Sequence, residues 1–140
     1  MGSEMCIRDR GMDPRAVVFS PTRELASQIE EAARTMAKYT DLRIIGLLGG
    51  ASIKLQRDKL TEGVDLIIAT PGRFMDLYHE QRFGVRQIKT LVLDEADKMM
   101  DMGFMPQLRK LLEIIPVKRQ NMLFSATMSE KVMRLSLIHI

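Results

Sequence analysis

Five short apolar runs, each ending at a polar or glycine-bearing segment, constrain this chain more than any other feature. They are Ala16 to Phe19, Leu42 to Leu48, Leu66 to Ala69, Ile88 to Leu93 and Met122 to Phe124. Runs this short with so little polar interruption are expected of strands buried on both faces, as in a parallel sheet. Helical segments separate them. Thr22 offers an N-cap hydroxyl for a helix carrying Leu25, Ile29, Ala33 and Met36 on one face. Ser52 to Leu60 reads as a second helix, with Gly63 terminating that region. Thr70 caps a third, and Pro71 takes its first position, where a missing N–H costs nothing. Met105 to Ile115 forms a fourth, stopped by Pro116. This alternation predicts right-handed crossovers and one α/β domain whose helices cover both faces of a parallel sheet. At 140 residues the chain allows a single domain with its own core.

In an open α/β sheet, ligands bind beyond the carboxyl ends of the strands. The residues able to do chemistry here follow such ends. Asp94-Glu95 comes after Leu91-Val92-Leu93, and a carboxylate so placed can hold Mg²⁺ against nucleotide phosphates, directly or through water. By itself the pair also fits an ordinary acidic loop. Ser125 and Thr127, separated by one residue, can both face one carboxylate if the backbone between them is extended. Alone, they fit a turn or a helix N-cap before Glu130 better. Thr22-Arg23 and Pro71-Gly72-Arg73 open helices, where free N–H groups and the helix dipole favour a phosphate. Either arginine alone could instead make an ion pair on a helix surface. Gly49-Gly50 suits close approach of another backbone.

Taken in order, Pro21-Thr22-Arg23-Glu24-Leu25-Ala26-Ser27-Gln28, Gly49-Gly50, Thr70-Pro71-Gly72-Arg73, Asp94-Glu95-Ala96-Asp97 and Ser125-Ala126-Thr127 resemble the motif series of DEAD-box RNA helicases. The resemblance spans about Arg15 to Met133 and falls in the first of that family's two RecA-like domains. Lys118 to Thr127 and Met102-Gly103-Phe104 look most like the RhlE-type bacterial branch. It implies a RecA-like, P-loop NTPase fold, a cytoplasmic ATP-dependent RNA helicase, and ATP with Mg²⁺ as cofactors. By the same resemblance Asp94 is the metal residue and Glu95 the general base. Asp97, Ser125 and Thr127 would couple the nucleotide to the RNA path, and Pro21, Thr22, Arg23, Gly49, Gly50, Thr70, Pro71, Gly72 and Arg73 would hold the RNA backbone. The sequence departs from the family in two respects: it contains no Gly-x-x-x-x-Gly-Lys-Ser/Thr and no upstream glutamine motif. The expected domain is therefore incomplete, lacking the P-loop strand, and inactive toward ATP by itself; the second RecA-like domain is missing as well. A non-catalytic module that binds RNA backbone is the alternative.

The two ends read differently. The DNA string atg tgt ata aga gac ag encodes Met5 to Asp9, and its reverse complement, ctg tct ctt ata cac at, encodes Leu135 to His139. One string read both ways resembles a sequencing adapter, so residues 1–10 and 135–140 are expected to be adapter-derived and 11–134 native. The single cysteine, Cys6, lies in the first of these segments, which leaves no native disulfide or zinc-thiolate chemistry and suits a reducing cytosol. The net charge of +3 permits a nucleic-acid partner without arguing for one. No apolar stretch approaches the length of a membrane span, and nothing points to an oligomer. With no tryptophan, five Phe and two Tyr, a base-stacking platform has no support. His79 lacks a second ligand nearby, and Met99, Met100, Met102 and Met105 suit flexible packing around a turn.

Overall fold

The computed structural model describes residues 10–138. Five strands, β1 (Ala16–Phe19), β2 (Ile44–Leu47), β3 (Leu66–Ala69), β4 (Thr90–Leu93) and β5 (Gln120–Leu123), form one parallel sheet in the order β2-β3-β1-β4-β5. Among the described residues the α-helices are α1 (Arg23–Met36), α2 (Ile53–Glu62), α3 (Pro71–His79), α4 (Ala96–Asp101), α5 (Met105–Ile114) and α6 (Glu130–Ile138). The central strand β1 sets Val17 beside Ile67 of β3 and Leu91 of β4. Parallel neighbours require crossovers, and the helices supply them.

The two faces are unequally covered. On one, Val17, Phe19, Ile67 and Leu91 pack with Phe74 and Leu77 of α3 and Leu108 and Leu111 of α5. Phe74 meets Phe19 and Phe83 edge-on, with ring centroids 4.9 Å apart in both pairs. On the other face, Ala26 of α1 joins Ile44, Leu48 and Ile68, backed by Ile29 and Ala33. That smaller cluster covers only the β2 side of the sheet. The rim opposite the strands' carboxyl ends is pinned by a carboxylate. Asp65, 7% exposed, pairs with Arg15 at 2.7 Å and Arg43 at 3.1 Å, and accepts the Arg43 backbone N–H at 2.8 Å. Hydrogen bonds from the Arg43 side chain, then its backbone amide and charge, then Arg15, outweigh the cost of burial and lower the Asp65 carboxyl from 3.8 to about 2.

All five expected strands are present, and the differences from expectation are local. β2 and β4 begin two residues later than the apolar runs, and Leu42 is 55% exposed. β5 begins two residues before its run and ends at Leu123, because Gln120 and Asn121 complete the ladder with Thr90 and Leu91. Met36 is 81% exposed; the buried stripe of α1 runs through Ala26, Ile29 and Ala33 and leaves it outside. Thr70 takes the N-cap position of α3, but its hydroxyl caps no N–H. Met99 and Met100 belong to a short helix, α4, where a turn was expected; Met99 is fully buried and Met102 exposed. Residues 1–9 and 139–140 of the expected adapter segments lie outside the described residues. Leu135, in the segment expected to be adapter-derived, is buried one helical turn beyond Val132, since any leucine at that spacing can reach the core.

Candidate functional site

Hydrogen bonds continue each ladder one residue past the strands and fix where the loops leave. Ser20 N–H donates to the Ala69 carbonyl (3.0 Å), Thr70 N–H to Leu47 (3.2 Å), Asp94 N–H to Phe19 (2.9 Å) and Phe124 N–H to Leu93 (2.9 Å). Every sequence-predicted site residue therefore leaves from the same rim. Sheet order then sorts them. Gly49-Gly50, Thr70 to Arg73 and Pro21 to Arg23 follow β2, β3 and β1, while Asp94 to Asp97 and Ser125 to Thr127 follow β4 and β5. The glycine and arginine loops occupy one half of the rim. The carboxylates and hydroxyls occupy the other.

In the acidic half, the Asp94 carboxylate accepts the Glu95 N–H through Oδ1 at 3.1 Å. Glu95 has φ 52° and ψ 50°, a left-handed conformation that costs a non-glycine residue about 1 kcal/mol or more. Its Oε1 lies 3.4 Å from Lys98 Nζ, and its Oε2 is buried with no hydrogen-bond partner. A strained residue with an unpartnered carboxylate oxygen is costly to maintain unless something else uses it. The Ala96 N–H donates to the Phe124 carbonyl at 3.0 Å, which draws the β5 loop against the acidic turn. There the Thr127 hydroxyl donates to Asp97 Oδ2 at 3.2 Å, and the Ser125 hydroxyl donates to the Thr127 carbonyl at 2.5 Å. Desolvation pushes the Asp97 carboxyl up. The Lys98 amide and the Ser125 and Thr127 hydroxyls outweigh it and hold the group below its usual value. Asp94, Glu95, Asp97 and Ser125 line an open cleft of about 280 Å³.

These groups fit a magnesium nucleotide. Asp94 spends only Oδ1 on the protein, and Glu95 aims an unpartnered oxygen. Among the described residues no three His, Cys, Asp or Glu side chains converge as a cage. A cation beside Asp94 would therefore take most of its ligands from phosphate and water, as Mg²⁺ commonly does.

In the other half, Thr22 caps α1 by accepting the Leu25 N–H at 3.3 Å. Arg23 and Arg73 make no ion pair among the described residues, in contrast to Arg57, which is held by Glu80 at 2.7 Å. The Arg23 guanidinium lies against Gly50, where a Cβ would stand 2.6 Å from its Nη1 and where φ is +82°. A Cβ at Gly49 or Gly72 would meet nothing within 4 Å, so the chain's own packing does not require glycine there. Sequence reasoning missed Gln56, a buried amide on α2 that binds both Leu48 and Arg73. The available signal was its place four residues before the buried Leu60. His79 ends α3 exposed to solvent.

A five-stranded parallel sheet with carboxylates and hydroxyls meeting at adjacent strand ends defines a RecA-like domain. The DEAD/DEAH box helicase family model matches residues 4–135. The chain belongs to that family. It is 44% identical over 128 residues to DEAD-box ATP-dependent RNA helicase 14 of Arabidopsis thaliana, covering 91% of this chain and 21% of the relative. It is equally similar, at 44% over 128 residues, to ATP-dependent RNA helicase RhlB of Shewanella denitrificans, covering 90% of this chain and 30% of the relative. Among solved structures, the yeast DEAD-box splicing factor Prp28 matches with a TM-score of 0.86 and 34% identity over 91% of this chain and 31% of that one. The chain thus spans between a fifth and a third of the length of these relatives.

Proposed function

We propose that this chain is part of the first RecA-like domain of an ATP-dependent RNA helicase that separates short duplexes, one half of its rim gripping RNA backbone and the other acting on ATP. The observation that carries this reading is the docking of Thr127 on Asp97, 3.2 Å apart, beside the strained Glu95. It joins the acidic turn to the hydroxyl loop at neighbouring strand ends. Asp94 would hold magnesium, directly or through water. When bound, the ion would neutralise charge on the nucleotide's β- and γ-phosphates. Glu95 orients the attacking water and accepts its proton as general base. Asp97, Ser125 and Thr127 lie off that step and register whether the two loops are docked. Pro21, Thr22, Arg23, Gly49, Gly50, Thr70, Pro71, Gly72 and Arg73 meet RNA phosphates and 2′-hydroxyls, which carries little sequence preference. We place the work in the cytoplasm and, from Lys118 to Thr127 and Met102-Gly103-Phe104, nearest the RhlE-type branch.

The test is Glu95→Gln in a longer natural protein that contains this segment together with a Gly-x-x-x-x-Gly-Lys-Thr stretch. ATP turnover should fall by about a hundredfold or more while ATP affinity stays within about threefold. Turnover within about threefold of the unsubstituted protein would remove Glu95 from the role of base.

A second reading applies to the 140 residues themselves. Arg23 and Arg73 have no carboxylate partner among the described residues, and no Gly-x-x-x-x-Gly-Lys-Ser/Thr occurs in the sequence, so this polypeptide holds RNA without turning over ATP. DNA flanking residues 11–134 at the natural locus decides between the readings and also tests the adapter origin of 1–10 and 135–140. Continuation upstream into a Gly-x-x-x-x-Gly-Lys-Thr stretch supports the enzyme. A natural start codon just before Met12 supports the binding module.

A further inference from the structure

Gln56 lies on α2, 5% exposed, with its side-chain amide at the middle of the arginine half of the rim. Its Nε2 donates to the Leu48 carbonyl at 3.1 Å, at the end of β2. Its Oε1 accepts from Arg73 Nη1 at 2.9 Å, and the same Nη1 donates to the Ala51 carbonyl at 3.3 Å. One buried amide therefore joins Leu48, just past β2, to Arg73 in the first turn of α3, and Arg73 in turn holds Ala51, so the Gly49–Gly50 turn is bracketed on both sides. From the opposite side, the Arg23 guanidinium closes over Gly50.

We propose that Gln56 is a positioning residue for RNA-backbone binding, holding Arg73 and the Gly49–Gly50 turn in fixed register with Arg23 so that the two cations meet phosphates of one strand. This rests on the reading of Arg73 as an RNA contact. The chemistry favours an amide here. Both acceptors of Arg73 are uncharged, so its orientation is fixed while its positive charge stays available to an anion. A carboxylate at this position would hold the guanidinium as firmly but neutralise it, and would set an acceptor against the Leu48 carbonyl. On the same helix, Arg57 shows the neutralised arrangement: both its Nε and Nη2 are taken by Glu80, at 2.7 and 2.9 Å.

The experiment measures binding of the 140-residue chain to fluorescein-labelled single-stranded RNAs of unrelated sequence across a salt series, with the thermal midpoint of every variant. Arg73→Ala should weaken binding about tenfold on all sequences and lower the slope of log K against log salt by about one. Gln56→Met, similar in volume, should weaken binding by about three- to fivefold when Arg73 is present and add nothing in the Arg73→Ala background. Gln56→Glu should lower the midpoint by several degrees, because it loses the donor to the Leu48 carbonyl, and at a temperature well below that midpoint should lower the slope by nearly one; this arm stands even if the methionine variant folds poorly. An equal loss from Gln56→Met in both backgrounds would mean a general folding role and overturn the proposal, as would an unchanged slope in Gln56→Glu. If Arg73→Ala leaves RNA affinity unchanged, Arg73 is not an RNA contact and the proposal falls with that reading. If Arg73→Ala weakens binding and the Gln56 effect is additive, only the role of Gln56 falls.

Discussion

Glu95 concentrates the cost of this site in one residue. Its left-handed backbone and unpartnered Oε2 are both unfavourable, and both follow from turning the chain sharply between β4 and α4 so that two successive carboxylates face the cleft. Asp97 is placed differently. It sits in the first turn of α4, where an anion suits the helix dipole, and it receives the Thr127 hydroxyl. Replacing Ser125 and Thr127 together by alanine in the longer protein should reduce duplex separation by about tenfold or more while ATP hydrolysis falls by no more than about threefold, because the lost hydrogen bonds join loops and do not touch the reacting atoms. Parallel measurement of both rates decides the matter, and equal losses would give the hydroxyls a plain catalytic or folding role. That Asp94, Glu95, Asp97, Ser125 and Thr127 stand at strand ends was legible beforehand, and the structure brings them to one cleft. The buried Gln56 was not, because a polar residue in a helix shows its partners only once the neighbouring loops are in place.

At the scale of elements, the opposite rim is held by charge. Asp65 precedes β3, Arg43 precedes β2 and Arg15 precedes β1, so one carboxylate locks three strand starts. Its folded pKa, about 2, lies below its ordinary value of 3.8. A lowered folded pKa means that the stabilisation is fully present above the unfolded value and is lost as pH falls through the folded one. The window is therefore about pH 4 down to about pH 2. The contribution is on the order of 1–2 kcal/mol, given that the arginines are partly exposed and solvent-screened. Thermal unfolding of the chain and of Asp65→Asn between pH 7 and pH 2 should show midpoints well separated above pH 4 and converging by pH 2. A gap constant to pH 2 would contradict the assignment. Comparison with the variant is needed because Glu80, held low chiefly by its hydrogen bond from Arg57, titrates in the same range. The depth of this clamp was invisible in the sequence, where Arg15, Arg43 and Asp65 stand far apart.

For the whole molecule, the two sheet edges differ. β2 is covered by α1 and α2 and mostly buried, whereas β5 exposes Gln120, Asn121 and Met122, with Phe124 beyond it 51% exposed. An open, partly apolar edge is a site for further pairing and a route to aggregation. Hydrogen exchange on residues 11–134 should be slowest in β1, β3 and β4, which have paired neighbours on both sides, and fast along the outer side of β5. The chain should also associate as its concentration rises, and Mg²⁺-ATP should not raise the unfolding midpoint, since the loop amides and lysine of a Gly-x-x-x-x-Gly-Lys-Ser/Thr stretch are not encoded. Slow, uniform exchange through β5 would refute the open-edge argument, and an ATP-dependent rise would refute the incomplete nucleotide site. The sequence by itself determined the five strands, four of the six described α-helices, the parallel sheet and the gathering of five motifs on one rim, because apolar runs and strand-end loops are local patterns that report burial directly. Only the tertiary structure decided which strands are neighbours. That order puts the arginine and glycine loops together, sets the carboxylates beside the hydroxyls and leaves β5 at the edge, since strand order depends on which crossovers best bury the helices and on no local signal in the chain.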